Sequence, residues 1–448
     1  MQSFTLEKTD IDIVSHGGLA LIGQAIARYT DLSSVDDLVP LRHGISHYDI
    51  LKTYLGCLSL GKNDFESVNM IESINFFMSS LDINQLPSEP TLRLRMDDKA
   101  KEFIPIIRKA CVDFLKNIKP DLKPLEIGHV PIDADVTPFD NSDSHKEGVS
   151  CTYKKYDGYA PMAAYLGQEG YCLDFELREG KQHCQKDTPK FLEQILHSAR
   201  EITDQPLLLR LDSGNDALEN IDTIIEFNAH CEQVGQAGVD FIIKWNPRKE
   251  SKQEWLEYAE QHGLLKQDRP GKRTALFTVE CKRQWKGNTY SIDRVMRVVE
   301  RTIDENGQYL LIPELELDAW WASLGNSEEE VIDLYADHGT SEQFHSEFKT
   351  DMDIERLPSG KFATNALILS MSVLVFNILR WIGQNGLLDS RSPKRHKAGR
   401  RRIKTVIQEL MYVAVKIANS GRRMKLQFGR SCRVVEIFRD LYSRLAYG

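Results

Sequence analysis

The chain has 448 residues, of which 41% are hydrophobic, and it carries a formal net charge of −9. A chain of this length forms about two to four domains, and its hydrophobic fraction is enough to bury substantial cores. The acidic total, taken alone, argues against a nucleic-acid partner. The eight cysteines form no C-x-x-C pair, which argues against a zinc ribbon or a redox motif.

Residues 1–125 are predicted to form a mainly helical region. Apolar residues recur at helical spacing in GLALIGQAIARYT, HYDILKTYLGCLSL and DKAKEFIPIIRKACVDFLKNI. In LPSEPTLRLRMDD, Ser88 is a candidate N-cap, with Pro90 just inside the helix. Short helices that lead to a helix bearing arginines suit a helix-turn-helix DNA-binding domain, but they suit other helical domains nearly as well.

Residues 126–245 have the pattern of an α/β core. Strands are predicted in GHVPIDADVTPFD, PLLLRLDSGND and VDFIIKWN, and GYAPMAAYLGQEGYCLDFELREG is predicted to be a hairpin that turns at residues 168–170. Helices are predicted in TPKFLEQILHSAREI and NIDTIIEFNAHCEQVG, each ahead of one of the last two strands. An antiparallel meander followed by parallel strands predicts a ribonuclease-H-like core.

Residues 246–322 are predicted to be a β-rich insertion, because TALFTVECKRQWKGNTYSIDRVMRVVERT and GQYLLIPELELDAWW alternate like edge strands. The core is expected to resume over residues 323–385. The apolar run ALILSMSVLVFNIL in that stretch is predicted to be a buried helix, too short to span a bilayer. The sequence MQSFTLEKTD lacks the apolar stretch of a signal peptide, so a cytoplasmic protein without a membrane partner is expected.

Residues 386–448 are predicted to be a basic helical region. From Arg380 to Gly448 there are 17 Lys and Arg against 4 Asp and Glu, a net of +13, which leaves −22 for the rest of the chain. Such an asymmetry is typical of a polyanion-binding protein, so the acidic total misleads. Apolar residues in RRIKTVIQELMYVAVKIANSGRR predict a packed amphipathic helix rather than a solvated tail.

The segment YADHGTSEQFHSEFKTDM, residues 335–352, places four functional groups on one face of a helix. At about 100° per residue, His338, Glu342 and Lys349 fall at about −60°, −20° and −40° from Tyr335. The other acids point elsewhere, namely Asp337, Glu347 and Asp351. Poor helix formers in the middle predict a helix that is held by tertiary contacts or begins near residue 340. The alternative is a solvated face that aligns by chance.

Two more carboxylates lie within or at the end of apolar strands. Asp135 shares one face of its strand with Asp133, and Asp212 ends the strand LLLRLD. An acid in such a place is costly to bury unless it is paired or metal-bound, and ligands bind beyond the carboxyl ends of α/β strands. Each acid could instead be a structural cap or an ion-pair partner. Together with Glu342, Asp135 and Asp212 form a set of three carboxylates.

A set of three carboxylates suits divalent metal ions. Mg²⁺ prefers oxygen ligands and is commonly held by one or two carboxylates together with substrate phosphates. Two such ions about 4 Å apart activate water or a 3′-hydroxyl and stabilise the leaving oxygen of an in-line phosphoryl transfer. The set therefore predicts two Mg²⁺ ions, for which Mn²⁺ can substitute, and it requires no covalent protein nucleophile.

In order and spacing, these segments resemble those of DDE transposases of bacterial insertion sequences with the Y-R-E-K signature. YADHGTSEQFHSEFK is similar to Y-x2-R-x3-E-x6-K, with His338 in the place of the arginine. DADVTPF and RLDSGND resemble the strands of the first and second aspartates, and FIIKWNPRK resembles the strand before the β insertion. DHGTSEQFHSEFKTDM, RLPSGKFATNA and LPSEPTL are most similar to the group named after insertion sequence 1380. The resemblance covers roughly residues 85–430.

The resemblance implies that Asp135, Asp212 and Glu342 are the catalytic residues and the metal ligands. Asp133 is the alternative first ligand, but the D-x-T spacing favours Asp135. Contacts to DNA are expected from Tyr335, His338, Lys349, Arg248, Trp320 and Trp321. At position 338 an imidazole replaces a guanidinium, which weakens the expected phosphate contact.

Relatives with this signature form a DNA hairpin and stack a flipped base on an aromatic residue of the insertion. Such stacking offsets the few kcal/mol, roughly, that base extrusion costs. Candidates are Trp285, Trp320 and Trp321, and the alternative is that these residues belong to the core.

The resemblance implies a nucleoid-associated bacterial transposase. It would bind the terminal inverted repeats of its element, cleave both strands through a hairpin intermediate and join the ends to target DNA. Holding two ends of double-stranded DNA together implies a homodimer. The alternatives are a host nuclease or resolvase built on the same core, and a non-catalytic DNA-binding protein derived from a transposase.

Overall fold

The computed structural model describes residues 3–8, 10–248, 250–392, 399–420 and 423–447. Within these ranges, the chain forms a nine-stranded mixed sheet, two three-stranded sheets and surrounding helices. The strands are β1 (Ile13–Val14), β2 (Val130–Val136), β3 (Phe139–Asp140), β4 (Ser150–Cys151), β5 (Asp157–Tyr159), β6 (Met162–Leu166), β7 (Tyr171–Glu176), β8 (Leu207–Leu211), β9 (Val239–Lys244), β10 (Lys266–Arg269), β11 (Lys272–Trp285), β12 (Asn288–Ile303), β13 (Tyr309–Ala322), β14 (Val415–Ser420) and β15 (Arg423–Phe428). The helices are α1 (Leu19–Tyr29), α2 (Val35–Leu38), α3 (His47–Ser59), α4 (Ile74–Leu81), α5 (Glu89–Ile118), α6 (Thr188–Ile202), α7 (Leu218–Val234), α8 (Lys252–Gln261), α9 (Glu328–Ala336), α10 (Ser341–Ser346), α11 (Phe362–Gly386), α12 (Ile403–Val406) and α13 (Val435–Tyr447).

Five strands of the large sheet form its core half, in the order β7-β6-β2-β8-β9. β2, β8 and β9 are parallel, whereas β6 and β7 run antiparallel to β2. All five residues of β8 are buried, as expected for a central parallel strand covered on both faces. Helices α6 and α7 connect the parallel strands. These strands and helices were all predicted from the sequence, and their order confirms a mixed α/β fold.

The insertion extends the same sheet instead of forming a separate one. β13 pairs with β9 through Trp320, Trp321 and Ala322, and β12, β11 and β10 follow outwards. The insertion contributes strands β10 to β13, and it also contains helix α8, which was not predicted. Ser251 caps α8 by accepting a hydrogen bond from the backbone of Glu254 at 3.4 Å.

The prediction that residues 386–448 are helical is wrong for residues 415–420 and 423–428. The predicted amphipathic helix stops after α12 and one wider turn at residues 407–411, and the chain continues into the hairpin β14–β15. Met411, Val413, Val415 and Ile417 are all buried, which is the two-residue period of a strand. β1 pairs with the outer side of β14, so the first and last segments of the chain share one small sheet.

The apolar run lies in α11, which is 25 residues long and packs against the 30-residue helix α5 and strand β7. The prediction of a buried helix is confirmed. The prediction about its length is wrong, because α11 is long and apolar enough to cross a membrane by length and composition. However, 83% of its most apolar window is buried inside the protein, as in the core helix of a globular domain.

Residues 328–351 form one broken helical run. α9 ends at Ala336, a tight turn covers residues 337–340, α10 follows, and a wider turn covers residues 347–351. Ser327 caps the start of α9 in a reciprocal pair with Glu330. Gly170, in the turn between β6 and β7, lies so close to the Phe344 ring that a Cβ atom there would be 2.2 Å from it. Tertiary contacts therefore hold this run, which was one of the two predicted arrangements.

Candidate active site

Asp135 and Asp212 lie side by side at the carboxyl edge of the core strands. The parallel ladder between β2 and β8 ends with Ala134 opposite Leu211, and each aspartate is the next residue on its strand. Both aspartates line one cleft of about 560 Å³. Asp212 Oδ1 accepts a hydrogen bond from Asn215 Nδ2 at 2.6 Å, and Asp135 Oδ1 accepts one from its neighbour's backbone at 2.7 Å. The register of two parallel strands therefore brings these predicted ligands together.

Glu342 is the third predicted ligand, and it lies on α10 with an exposed side chain. Its charge makes the smallest contribution to the raised pKa of Asp135, so the two carboxyl groups are close enough to interact through space. Across the described ranges, however, no group of three or more His, Cys, Asp or Glu side chains is spaced to hold a metal ion. The structure thus brings Asp135 and Asp212 into one cleft, whereas Glu342 is exposed on α10 and is not among the residues that line that cleft.

The electrostatics of the cleft fit a bound cation. Burial, the charge of Asp212 and, to a smaller extent, the charge of Glu342 raise the pKa of Asp135 to about 7. These carboxylates repel one another in a partly buried site, and a divalent ion between them would relieve that repulsion. Two carboxylates are also the number that usually holds Mg²⁺ when substrate phosphates supply further oxygens.

The raised pKa predicts that Asp135→Asn stabilises the DNA-free protein at alkaline pH. The folded state binds this proton more tightly than the unfolded chain does, so Asp135 lowers stability as pH rises from about 4 through about 7. Asparagine removes this term, and the expected gain in the free energy of unfolding at pH 8 is on the order of 2 kcal/mol. Denaturant unfolding of both proteins with a chelator, at pH 8 and pH 4.5, measures it. An equal gain at both pH values would contradict this origin.

Asp133, the alternative first ligand, is already engaged in a buried ion pair. Arg210 donates to its two oxygens at 2.7 and 2.8 Å, and His338 Nδ1 lies 2.8 Å from Oδ1. Burial alone raises the pKa of Asp133, but Arg210 and His338 outweigh it and hold that pKa below its ordinary value. Arg210 also donates to the backbone oxygen of Leu334, which ties β8 to α9. Asp133 therefore has a structural role in the site. Because both of its oxygens are already paired, Asp135 is the better candidate for the metal ligand.

His338 and Tyr335 form the wall of the site instead of an open DNA-binding surface. His338 is 7% exposed, so the DNA contact predicted for it does not fit its position. Burial lowers the pKa of His338, but the hydrogen bond and charge of Asp133 outweigh it, and the pKa is raised. The Tyr335 ring packs between Trp320 and His338, at centroid distances of 6.1 and 5.6 Å. Sequence spacing could not reveal this burial, because it depends on the pairing of Asp133 with Arg210.

Lys349 and Arg248 contact the backbone of two different loops near the core strands. Lys349 is half-buried and donates to the backbone oxygen of Pro138 at 2.6 Å, and burial lowers its pKa. Arg248 has a left-handed backbone with φ of 45° and a side chain that is 58% exposed. It donates to the backbone oxygen of Asp216 at 2.6 Å, so it is accessible and anchored at the same time.

Two of the three candidate tryptophans, Trp320 and Trp321, are neighbours on β13 and lie on its opposite faces. Trp320 is buried against Tyr335, and Lys244 lies 4.0 Å above its ring. Trp321 is 2% exposed and donates through Nε1 to Asp216 at 2.8 Å, but it also lines a second cavity, of about 620 Å³. Trp285 ends β11 at the insertion's hairpin turn, where Lys286 lies 5.8 Å from its ring. Of the three, Trp321 is the one that lines this cavity.

Part of the basic C-terminal charge is used inside the protein. Glu347 is fully buried and pairs with Arg380 at 2.9 Å and with Arg400 at 3.4 Å. Asp351 pairs with Arg402 at 2.9 Å. Arg380 thus fastens α11 to the helical run that carries the third carboxylate, and Arg400 and Arg402 fasten the chain after α11 to the same run. The basic residues between 393 and 398 lie outside the described residues.

The site belongs to a chain that matches one protein family over almost its whole length. The family described as Transposase DDE domain group 1 matches residues 2–447. The chain belongs to this family. A cryo-EM structure of a piggyBac transposase synaptic complex with hairpin DNA is similar over 95% of this chain and 82% of that chain, with a TM-score of 0.42 and 9% sequence identity. No curated protein matches the chain.

The transposase site contains two residues that the sequence did not single out. His345 Nε2 lies 4.0 Å from Asp135 Oδ2, and His345 Nδ1 lies 3.0 Å from the Tyr165 hydroxyl on β6. Burial lowers the pKa of His345 to about 3, so the imidazole is neutral. The available signal was the position of His345 three residues after Glu342, on the same side of a helix.

Proposed function

We propose that this transposase cleaves and joins the ends of its own insertion sequence by phosphoryl transfer at Asp135, Asp212 and Glu342. The observation that carries the proposal is the pair Asp135 and Asp212, held together by strand register in a cleft where burial and like charge raise the pKa of Asp135. Double-stranded DNA is the substrate, and the reaction class follows from the family.

We infer that the core is ribonuclease-H-like and that the element belongs to the insertion sequence 1380 group. Support for the core comes from the order β7-β6-β2-β8-β9, with three parallel strands beside an antiparallel pair. The motifs that resemble this group carry the three carboxylates of the proposed site. Asp135 lies near the end of β2, Asp212 follows β8, and Glu342 lies on α10.

Each side chain of the proposed site has a separate role in the reaction. Asp135 and Asp212 would hold the divalent ions, Mg²⁺ or Mn²⁺, and Glu342 would close the set from α10. When bound, such ions activate the attacking oxygen and stabilise the leaving oxygen of an in-line displacement. Lys349, close to the same edge, would hold a phosphate beside the scissile bond. Asp133 and Arg210 keep β2 and β8 in register, so the aspartates are positioned before DNA arrives.

The second cavity supports a hairpin pathway with an extruded base. It is lined by Trp245 and Trp321, together with the guanidinium groups of Arg248, Arg283 and Arg294. Arg283 and Arg294 lie 5.0 and 5.3 Å from the Trp321 ring. An aromatic face surrounded by cations suits a base and its phosphate, and stacking contributes about 1–3 kcal/mol per base. Trp321→Ala should therefore slow hairpin formation more than first-strand nicking.

The proposal is tested by end cleavage on a duplex that carries the DNA flanking this gene. With Mg²⁺, the wild-type protein should nick at the element end and then form a hairpin, which a denaturing gel resolves. A duplex with a scrambled end is the control and should not be cut. Cleavage of both duplexes would favour a host nuclease or resolvase, and binding without cleavage would favour a non-catalytic DNA-binding protein.

Binding to the terminal repeats should weaken steeply with salt. The residues from Arg380 to Gly448 carry a net of +13, and DNA binding by such a region releases condensed counterions. With about six phosphate contacts, the affinity should fall roughly 10³-fold between 50 and 200 mM salt. Fluorescence anisotropy with labelled ends measures this slope. A flat response over the same range would contradict the predicted DNA-binding surface. Light scattering over the same salt range measures the mass of the protein bound to the labelled ends, and this mass tests the predicted homodimer.

A further inference from the structure

A buried histidine, His345, lies next to Asp135, and a buried tyrosine, Tyr165, contacts that histidine. His345 is 5% exposed, and within the described part of the chain its Nε2 atom has no hydrogen-bond partner. That atom lies 4.0 Å from Asp135 Oδ2. A buried polar atom without a partner costs about 1–3 kcal/mol, so a partner in the working state would be expected.

The contact of His345 with Tyr165 is compatible with a tautomer that carries its hydrogen on Nε2. The hydroxyl of Tyr165 lies 3.0 Å from Nδ1, and Tyr165 is 1% exposed. When the hydroxyl donates to Nδ1, the single hydrogen of the neutral ring must be on Nε2. Nε2–H is then the group nearest to the carboxylate. The strand opposite supports this arrangement, because Asp135 is paired across β2 and β6 with Ala163, whose short side chain does not fill that face.

We propose that His345 is a positioning residue for Asp135, oriented by Tyr165, and that Nε2–H donates to Oδ2 when Asp135 holds a divalent ion. This rests on the proposed function of the site. Carboxylate ligands are commonly fixed by such hydrogen bonds, and their loss typically weakens metal binding by about 10–100-fold. Asp135 is then held from two sides, since its Oδ1 atom already accepts from the backbone of Val136.

The test compares His345→Leu with His345→Gln in the full-length, DNA-free protein. Glutamine carries an N–H donor at a similar reach to Nε2, whereas leucine carries none. The probe is Mn²⁺ alone, and free Mn²⁺ is measured by electron paramagnetic resonance. Leucine should weaken Mn²⁺ binding about 10–100-fold, and glutamine should stay within about threefold of wild type. Wild-type binding by the leucine variant, equal loss in both variants, or absence of Mn²⁺ binding by the wild type would overturn the proposal.

Tyr165→Phe tests the orienting contact with a smaller change, which keeps the ring and the fold. It should weaken Mn²⁺ binding and raise the Mn²⁺ concentration for half-maximal end cleavage by a similar factor. Tyr159→Phe is the matched control, because Tyr159 is also fully buried and donates to the backbone oxygen of Glu147 at 2.9 Å. Equal behaviour of the two variants would overturn the role of Tyr165. If the wild-type protein binds Mn²⁺ but cuts no DNA, the proposed function is refuted, and the Mn²⁺ affinities of the variants still test the role of His345 and Tyr165.

Discussion

Asp135→Asn and Glu342→Gln are expected to abolish end cleavage while leaving end binding intact. Each substitution keeps the size of the side chain and removes the charge that would hold a divalent ion. Electrostatic stabilisation by such an ion is worth several kcal/mol, so cleavage should fall by roughly 10³-fold or more. Single-turnover cleavage of the flanking-end duplex measures the rate, and anisotropy on the same duplex measures binding.

Asp337→Asn is the matched control for Glu342→Gln, because Asp337 is an exposed acid on the same helical run. It should cut at the wild-type rate. If Glu342→Gln also cuts at that rate, Glu342 is a surface acid and the third ligand lies elsewhere. If Asp135→Asn still cleaves the duplex, Asp135 is not the first metal ligand.

A stability measurement separates Asp135 from its neighbour Asp133. Asp133→Asn leaves the buried Arg210 without a carboxylate, and breaking a buried ion pair costs about 3–5 kcal/mol. Asp135→Asn removes a repelled carboxylate, so it should not destabilise the protein at pH 8. Both variants are expected to lose cleavage, but only the loss caused by Asp133→Asn should be accompanied by a lower midpoint of unfolding.

The core of the fold could be predicted because its signals are local. The run of apolar residues in β8 and the alternation in the insertion each indicate a strand, and a parallel neighbour then places Asp212 beside Asp135. The hairpin β14–β15 was missed because its residues also fit a helical period over a short span. The two-residue spacing of Val413, Val415 and Ile417 was the signal that distinguished the two.

The rest of the site could not be predicted, because it depends on which residues meet across distant segments. Glu347 and Arg380 are 33 residues apart, and His345 meets Tyr165 across 180 residues. His338 has the position of a DNA contact in the sequence pattern, but a partner 205 residues away buries it. Periodicity gives the face of a helix on which a side chain lies, but it does not give what that face packs against.

Arg380→Met is expected to destabilise the protein by about 3–5 kcal/mol, because it leaves Glu347 fully buried beside a neutral side chain. Arg400, at 3.4 Å, and the backbone N–H of Ile403, at 3.0 Å, remain and do not replace the lost guanidinium. Denaturant unfolding at pH 7.5 measures the loss. Arg439→Met is the matched control, since Arg439 pairs with Glu436 on the surface and such pairs contribute at most about 1 kcal/mol.

The same substitution should also slow cleavage, because Glu347 lies on the helical run that carries Glu342. Loosening that run lets the third carboxylate move from the cleft, and a displacement of about 1 Å can cost roughly 100-fold in rate. Cleavage is therefore measured at a temperature where Arg380→Met remains folded. A loss of rate with unchanged end binding would show that the ion pair between α11 and Glu347 positions the catalytic helix. An unchanged rate would mean that this ion pair contributes to stability alone.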